Sequence, residues 1–210
     1  NAEMTTTINE GKYYIAAFNQ FYTRYNAPPG DYTGASAAWK EANSATSSDS
    51  ANHNGDGNGR IRAVSSNSSV CGTANCTEWY YAFQHLALAG FIQGSYSGTS
   101  TSYNAVIGTN IPAASMDKVG FLFDHPDTEN GNVSGDATYF DGLYDNVLRI
   151  AGHGSAETGT PDNAFLSPRQ ALQLDQKFDD GLPGNGNILT PKSTALTGCA
   201  TTAVATTAIY

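Results

Sequence analysis

Apolar residues return at helical spacing through the first 25 positions of the chain. Met4, Ile8, Ile15, Phe18, Tyr22 and Tyr25 fall on one stripe, with Thr, Glu, Lys, Asn and Gln between them and Gly11 as an interruption. The pattern predicts an amphipathic helix that Pro28-Pro29-Gly30 stops. A helix of that length must lay its stripe across something flat, and an antiparallel sheet is the usual partner. Residues 31–76 read as loop, rich in Gly, Asn, Ser and Asp, with Trp39 as an anchor and a short apolar piece at Ile61–Val64. A loop this long inside a compact domain is commonly functional or pinned by a metal or disulfide. A second helix follows, with Thr77 as N-cap, Glu78 in its first turn, an apolar set of Trp79, Tyr80, Phe83, Leu86 and Leu88, and Gly90 at its end. Short strands are expected at Val119–Phe123, Thr138–Phe140, Asn146–Ala151 and Ile188–Thr190, with another candidate at Ala203–Tyr210. Ser167-Pro168-Arg169-Gln170 has the form of a capping box and opens a helix through Leu172, Leu174 and Phe178 to Gly181. Long helix, loop, helix, strands, short helix and strand together predict one α+β domain.

Composition narrows the class. The 210 residues are 40 % hydrophobic and only 14 % charged, with 11 % aromatics, the opposite of a disordered chain. The net charge of −9 comes without any cluster of Lys and Arg beyond the neighbours Arg60 and Arg62. Binding to nucleic acid or to anionic lipid needs such a cluster, so neither is expected. From Asp117 to Asp145 the acids Asp117, Asp124, Asp127, Glu129, Asp136, Asp141 and Asp145 face a single base, Lys118. That stretch reads as a solvated face, or else as a source of oxygen ligands for a divalent cation. No apolar run is long enough to cross a membrane. The chain opens at Asn1 already inside a helical pattern, which suggests a processed or truncated N-terminus. Of the three cysteines, Cys71 and Cys76 are spaced to close a short loop, leaving Cys199 with a partner beyond Tyr210; the other arrangement pairs Cys199 with one of the first two.

The sharpest local signal is Asn54-Gly55-Asp56-Gly57-Asn58-Gly59-Arg60-Ile61. It fits the first eight positions of a calcium loop: oxygen side chains at Asn54, Asp56 and Asn58, a turn glycine, the backbone carbonyl of Arg60, then an apolar residue. Ser65 stands where such a loop ends in a bidentate Glu, so Asp56 is its one carboxylate. Glu78, opening the second helix, is the expected supplier of the missing one. The competing reading is a plain Asn-Gly turn. If calcium binds, its role is to order the loop. A second acidic group, Asp175, Asp179 and Asp180, reads first as helix C-terminus chemistry, with the acids bonding turn amides, and second as a carboxylate pair. Catalytic signals are thin: there is no G-x-S-x-G elbow, no H-E-x-x-H helix and no phosphate loop with Lys. His85 reads as a packed, hydrogen-bonded histidine. Pairs such as Asp141 and Asp145 are no more than any acidic protein offers, and an enzyme is not expected.

Four segments, taken in order, resemble one family. Phe21-Tyr22-Thr23-Arg24-Tyr25-Asn26-Ala27-Pro28-Pro29-Gly30-Asp31 is similar to the helix end of type IV pilin-like proteins, the prepilins and type II secretion pseudopilins. Trp39 and the Asn54–Ile61 loop follow as in a bacterial branch of that family. Phe83 through Tyr96 resembles its next helix, with Phe83 where Trp is usual, and Leu174 through Gly186 resembles its D-x-K-x-D-D-G-x-P segment. The resemblance implies a pilin fold over residues 1–210. Residues 1–27 would be the C-terminal half of the long helix packed on an antiparallel sheet. An αβ-loop would span 31–118 and contain the second helix, with the sheet and C-terminal region at 119–210. It further implies an apolar half-helix ahead of Asn1, a filament-facing role for the Met4–Tyr25 stripe, and a purified domain that is monomeric without that segment. Partners would be copies of itself or related pilin-like subunits and an inner-membrane assembly machinery. The precursor would sit in the bacterial inner membrane, and the product in a periplasmic or extracellular filament. The alternative is a Ca2+-dependent adhesin or carbohydrate-binding module at the cell surface using Tyr96, Tyr103 and Tyr139.

Overall fold

The computed structural model describes residues 2–42, 53–62, 78–98, 105–126, 132–133, 139–152, 163–191, 200–201 and 208–210. Helix α1 spans Ala2–Tyr25, a short α2 spans Ala35–Ala38 with a 3-10 turn at Lys40–Ala42, α3 spans Glu78–Leu88 and α4 spans Pro168–Phe178. Strands are β1 (Val119–Asp124), β2 (Asn132–Val133), β3 (Gly142–Leu143) and β4 (Val147–Gly152). They form two separate antiparallel pairs, β1 with β4 and β2 with β3. The architecture is mixed helix and sheet, with a long N-terminal helix, as expected of an α+β chain. Of the expected strand Thr138–Phe140, Thr138 lies outside the described residues and Tyr139 and Phe140 are not in a strand; Ile188–Thr190 is not a strand either. At the latter, the N–H groups of Ile188 and Thr190 are taken by the Asp179 carboxylate (2.7 Å) and the Pro183 carbonyl (3.0 Å), so no ladder forms there. The Ala203–Tyr210 candidate lies largely outside the described residues.

The chain divides into two compact units, Asn1–Asp124 with Asn146–Asn163, and His125–Asp145 with Ala164–Tyr210. In the first, β1 is buried along its whole length because both of its faces are covered. Tyr14 of α1 packs on Phe121 with ring centroids 4.9 Å apart, Phe18 on Phe123 at 5.2 Å, and Phe83 of α3 also on Phe123 at 5.2 Å. The opposite face is closed by the Ala105–Ala114 segment, whose Ile111 side chain leaves room only for the missing side chain of Gly120. Register runs from Val119 opposite Gly152 to Asp124 opposite Val147. Asp124 closes that end, accepting from Trp79 Nε1 (2.9 Å) and from Arg149 (3.3 Å).

The buried seam of α1 differs from the predicted stripe. Met4, Thr7, Gly11, Tyr14, Phe18, Phe21 and Tyr25 alternate strictly by three and four, and all are buried or half-buried. A repeat of 3.5 drifts backwards around a 3.6-residue helix, so the packed face rotates along its length. It starts against β4, where Gly11 lets Ile150 and Leu148 approach, and ends on Phe91, Tyr32 and Trp39 around Phe21. Ile8 still falls inside the seam. Its heptad equivalents Ile15 and Tyr22 have rotated out and are 46 % and 47 % exposed. The six predicted positions therefore do not share one environment: Met4 and Ile8 are buried, Phe18 and Tyr25 half-buried, Ile15 and Tyr22 in solvent.

In the second unit, the capping box of α4 forms as predicted, with Ser167 and Gln170 bonded reciprocally. Its C-terminus is organised by acids. Asp175 accepts from the Gly181 N–H (3.0 Å) and the Tyr210 hydroxyl, Asp180 from Leu182 N–H (2.8 Å), and Asp179 from Asn187 and Ile188 N–H groups.

Candidate metal centre

The Asn54–Ile61 loop is fastened at both ends before it does anything else. Ile61 is fully buried in the core, and Asn146 brackets the loop, accepting from Ile61 N–H (2.8 Å) and donating to the Gly59 carbonyl (3.0 Å). At the other end Gly55 donates to the Tyr32 carbonyl (3.1 Å). Here the backbones of two segments touch: a Cβ on Gly55 would stand 2.1 Å from Asp31 Cα and 2.4 Å from the Gly30 carbonyl. Only glycine permits that approach. Gly55→Ala is expected to lower unfolding stability by about 1–3 kcal/mol through forced backbone displacement. Denaturant titration checks this, and an unchanged midpoint would mean the two segments are not pressed together.

Held this way, the loop wraps a carboxylate from outside it. Asp31 is 1 % exposed, and its Oδ1 accepts from the N–H groups of Gly57 (2.6 Å) and Asn58 (3.1 Å), its Oδ2 from Gly59 (2.7 Å). Glu78, also 1 % exposed, accepts from Asp56 N–H (3.0 Å) and Arg62 N–H (3.1 Å) as α3 begins. Asp56 turns its own carboxylate onto the N–H and side-chain amide of Asn58 (3.0 and 2.8 Å). Carboxylate oxygens of Asp31, Asp56 and Glu78 lie within 4.8 Å of one another.

The electrostatics follow from that crowding. Burial pushes the Glu78 carboxyl up to about 9; the Asp56 and Arg62 N–H groups pull the other way, and the charges of Asp31 and Asp56 add to the rise. Burial likewise raises Asp31 to about 6, against the downward pull of the Gly59 and Gly57 N–H groups. Negative charge is therefore concentrated where water does not reach, and either protons or a cation must relieve it. The donors are all oxygens, which suits a hard divalent ion such as Ca2+ better than a soft one.

Of the five predicted metal positions, four in the loop motif and Glu78 at the start of α3, the structure brings two, Asp56 and Glu78, to this point. Asn54 turns away, and its side-chain oxygen accepts from Ser36 N–H (2.8 Å). Asn58 uses its oxygen on Arg60 N–H (2.8 Å) and its amide on Asp56, so it braces the loop. Arg60 is half-buried and enters through that N–H. The residue missed is Asp31, which stands directly after the Pro-Pro-Gly stop, far from the motif it completes. Cys71, Cys76, Cys199 and Tyr103 lie outside the described residues. Tyr96 packs on Phe83 (5.9 Å) and bonds the Tyr14 hydroxyl, which ties it to the core.

No family model, no curated protein and no solved structure matches this chain.

Behind the carboxylates sits a second polar cluster. His85 of α3 is fully buried, with Nδ1 accepting from Gly30 N–H (2.9 Å) and Nε2 donating to the His53 carbonyl (2.7 Å). Burial drives its pKa down to about 4, so the ring is neutral with its proton on Nε2. His53 Nδ1 meets Gln84 Oε1 at 2.6 Å, and Gln84 Nε2 donates to the Ser97 carbonyl (3.1 Å). The sequence expectation of a packed, hydrogen-bonded His85 matches this geometry.

Proposed function

We propose that this chain is a structural subunit of a type IV pilin-like or type II secretion filament, with a loop ordered by Ca2+ held between Asp31, Asp56 and Glu78. The observation that carries the reading is the series of four family-like segments in their family order, on a chain opened by a 24-residue helix. Support comes from the two sides of α1. Its inner seam is spent on β1, β4 and α3, while Ile15 and Tyr22, two turns apart along one side, stay 46 % and 47 % exposed. That outer row is what a helix would offer to its neighbours in a fibre, and the acidic, Ser/Thr/Asn-rich remainder suits a surface facing water. Calcium has a mechanical role in this reading. Ionised Asp31, Asp56 and Glu78 hold it, and holding it joins the turn after α1, the loop and the start of α3.

The test is made in the native cell. The open reading frame is expected to place an apolar helix directly before Asn1, and antibodies against this domain should decorate filaments on the cell surface or in sheared fractions. An ordinary cleavable export leader immediately ahead of Asn1, with all antigen free in the medium, would overturn the assignment.

A further inference from the structure

We infer that His85 is an acid-sensitive clamp that ties the turn Asn26–Asp31 to α3 and releases it on protonation, while its hold on His53 persists. A neutral imidazole has one donor and one acceptor, and both are in use: Gly30 N–H donates to Nδ1, and Nε2–H donates to the His53 carbonyl. The imidazolium has two donors and no acceptor. Its new N–H would point at the Gly30 N–H, turning a bond into a donor facing a donor. The Nε2–H to His53 bond would instead gain charge assistance. Acid therefore acts on one arm of the clamp and spares the other.

The surroundings favour release of the turn over collapse of the unit. Faces of Phe21 from α1, Tyr81 from α3 itself and Trp39 after α2 lie 6.2, 6.1 and 5.8 Å from the imidazole, and such faces attract a cation. Among the described residues, the titratable groups facing the ring are His53 from the loop, Tyr32 from the segment after the turn, and Tyr81. His85 bonds Gly30 and His53, neither of which is one of the clustered carboxylates. The clamp thus operates with or without a bound ion.

Amide exchange followed by NMR in chelator tests the inference on the intact chain. Between about pH 7 and about pH 4 the protection of Gly30 N–H is expected to fall about tenfold or more after correction for intrinsic rates, the scale of one buried hydrogen bond. The Phe121–Phe123 amides should keep theirs, and the His85 ring nitrogens should pass from the Nε2–H pattern to imidazolium over the same range. His85→Asn offers Gly30 an oxygen acceptor that does not titrate, so its Gly30 amide should stay protected at both pH values. His85→Gln reaches the His53 carbonyl but not Gly30, so its Gly30 amide should exchange quickly at both. Three results would overturn the clamp: Gly30 protected while the His85 ring titrates, equal loss across β1, or an acid response in His85→Asn equal to that of the parent. The first two are read on the parent chain, so they hold even where a variant fails to fold.

Discussion

Calcium is expected to raise the unfolding temperature of this chain by about 5–10 °C when the free ion stands near 100 times its dissociation constant. That occupancy corresponds to about 2.7 kcal/mol of linkage, and a protein of this size shifts by about 2–4 °C per kcal/mol. The effect should vanish in Asp31→Asn and in Glu78→Gln, whose carboxylates are buried, and shrink in Asp56→Asn, whose carboxylate is half-exposed. Its pH dependence has a definite sign. Both buried acids have folded pKa values raised above their unfolded ones, Asp31 to about 6 and Glu78 to about 9. Without a cation the folded state therefore holds more protons than the unfolded chain above about pH 4, and stability falls as pH climbs through both values. Calcium competes with those protons, so the gap between calcium and chelator should widen from about pH 5 to about pH 9. Calorimetric scans with and without chelator measure it. No shift in the parent protein across that range would remove the metal from the proposal and leave the loop as a hydrogen-bonded turn around Asp31.

The elements that could be read ahead were those whose signal is local. α3 and α4 begin where Glu78 and Ser167-Pro168 put them, because a cap or first-turn acid acts within a few residues. β1 and β4 were legible as short runs of large apolar residues. The rest depended on distant partners. The Thr138–Phe140 and Ile188–Thr190 segments have strand-like composition, but in the second the Asp179 carboxylate took the Ile188 amide and the Pro183 carbonyl the Thr190 amide, and composition carries no record of that. The candidate metal centre was half legible for the same reason. Asp56 sits in a motif whose spacing points to calcium, and Glu78 opens the next helix. Asp31 reaches them only because Gly55 lets its segment lie against the loop backbone, a contact that no spacing rule encodes. Helix α1 was legible as a helix but not in the rotation of its buried face. Ile15 and Tyr22 are as apolar as their neighbours, and the true seam passes through Thr7 and Gly11, which a hydrophobicity pattern discounts.

That rotation makes Phe21 and Ile15 a decisive pair. Phe21→Ala is expected to cost about 3–5 kcal/mol, the range for truncating a buried aromatic ring, and to lower the unfolding temperature by about 10 °C or more. Phe21 is fully buried, with the rings of Tyr25 (4.5 Å), Tyr32 (6.1 Å), Phe91 (6.1 Å), His85 (6.2 Å) and Trp39 (6.3 Å) around it. Removing it leaves a cavity lined by large planar side chains that cannot all close in, so little of the loss is recovered by relaxation. It also removes the stacked face of His85, loosening the turn that carries Asp31. Ile15→Ala should change stability by no more than about 0.5 kcal/mol, because its side chain is nearly half in water and alanine is the better helix former. Chemical denaturation of both variants reads the difference directly. If Ile15→Ala were the more damaging, the buried seam would follow the 8–15–22 row, and the outward face assigned to filament contacts would be the wrong one. If the two were equal and small, α1 would not be anchored in this core at all.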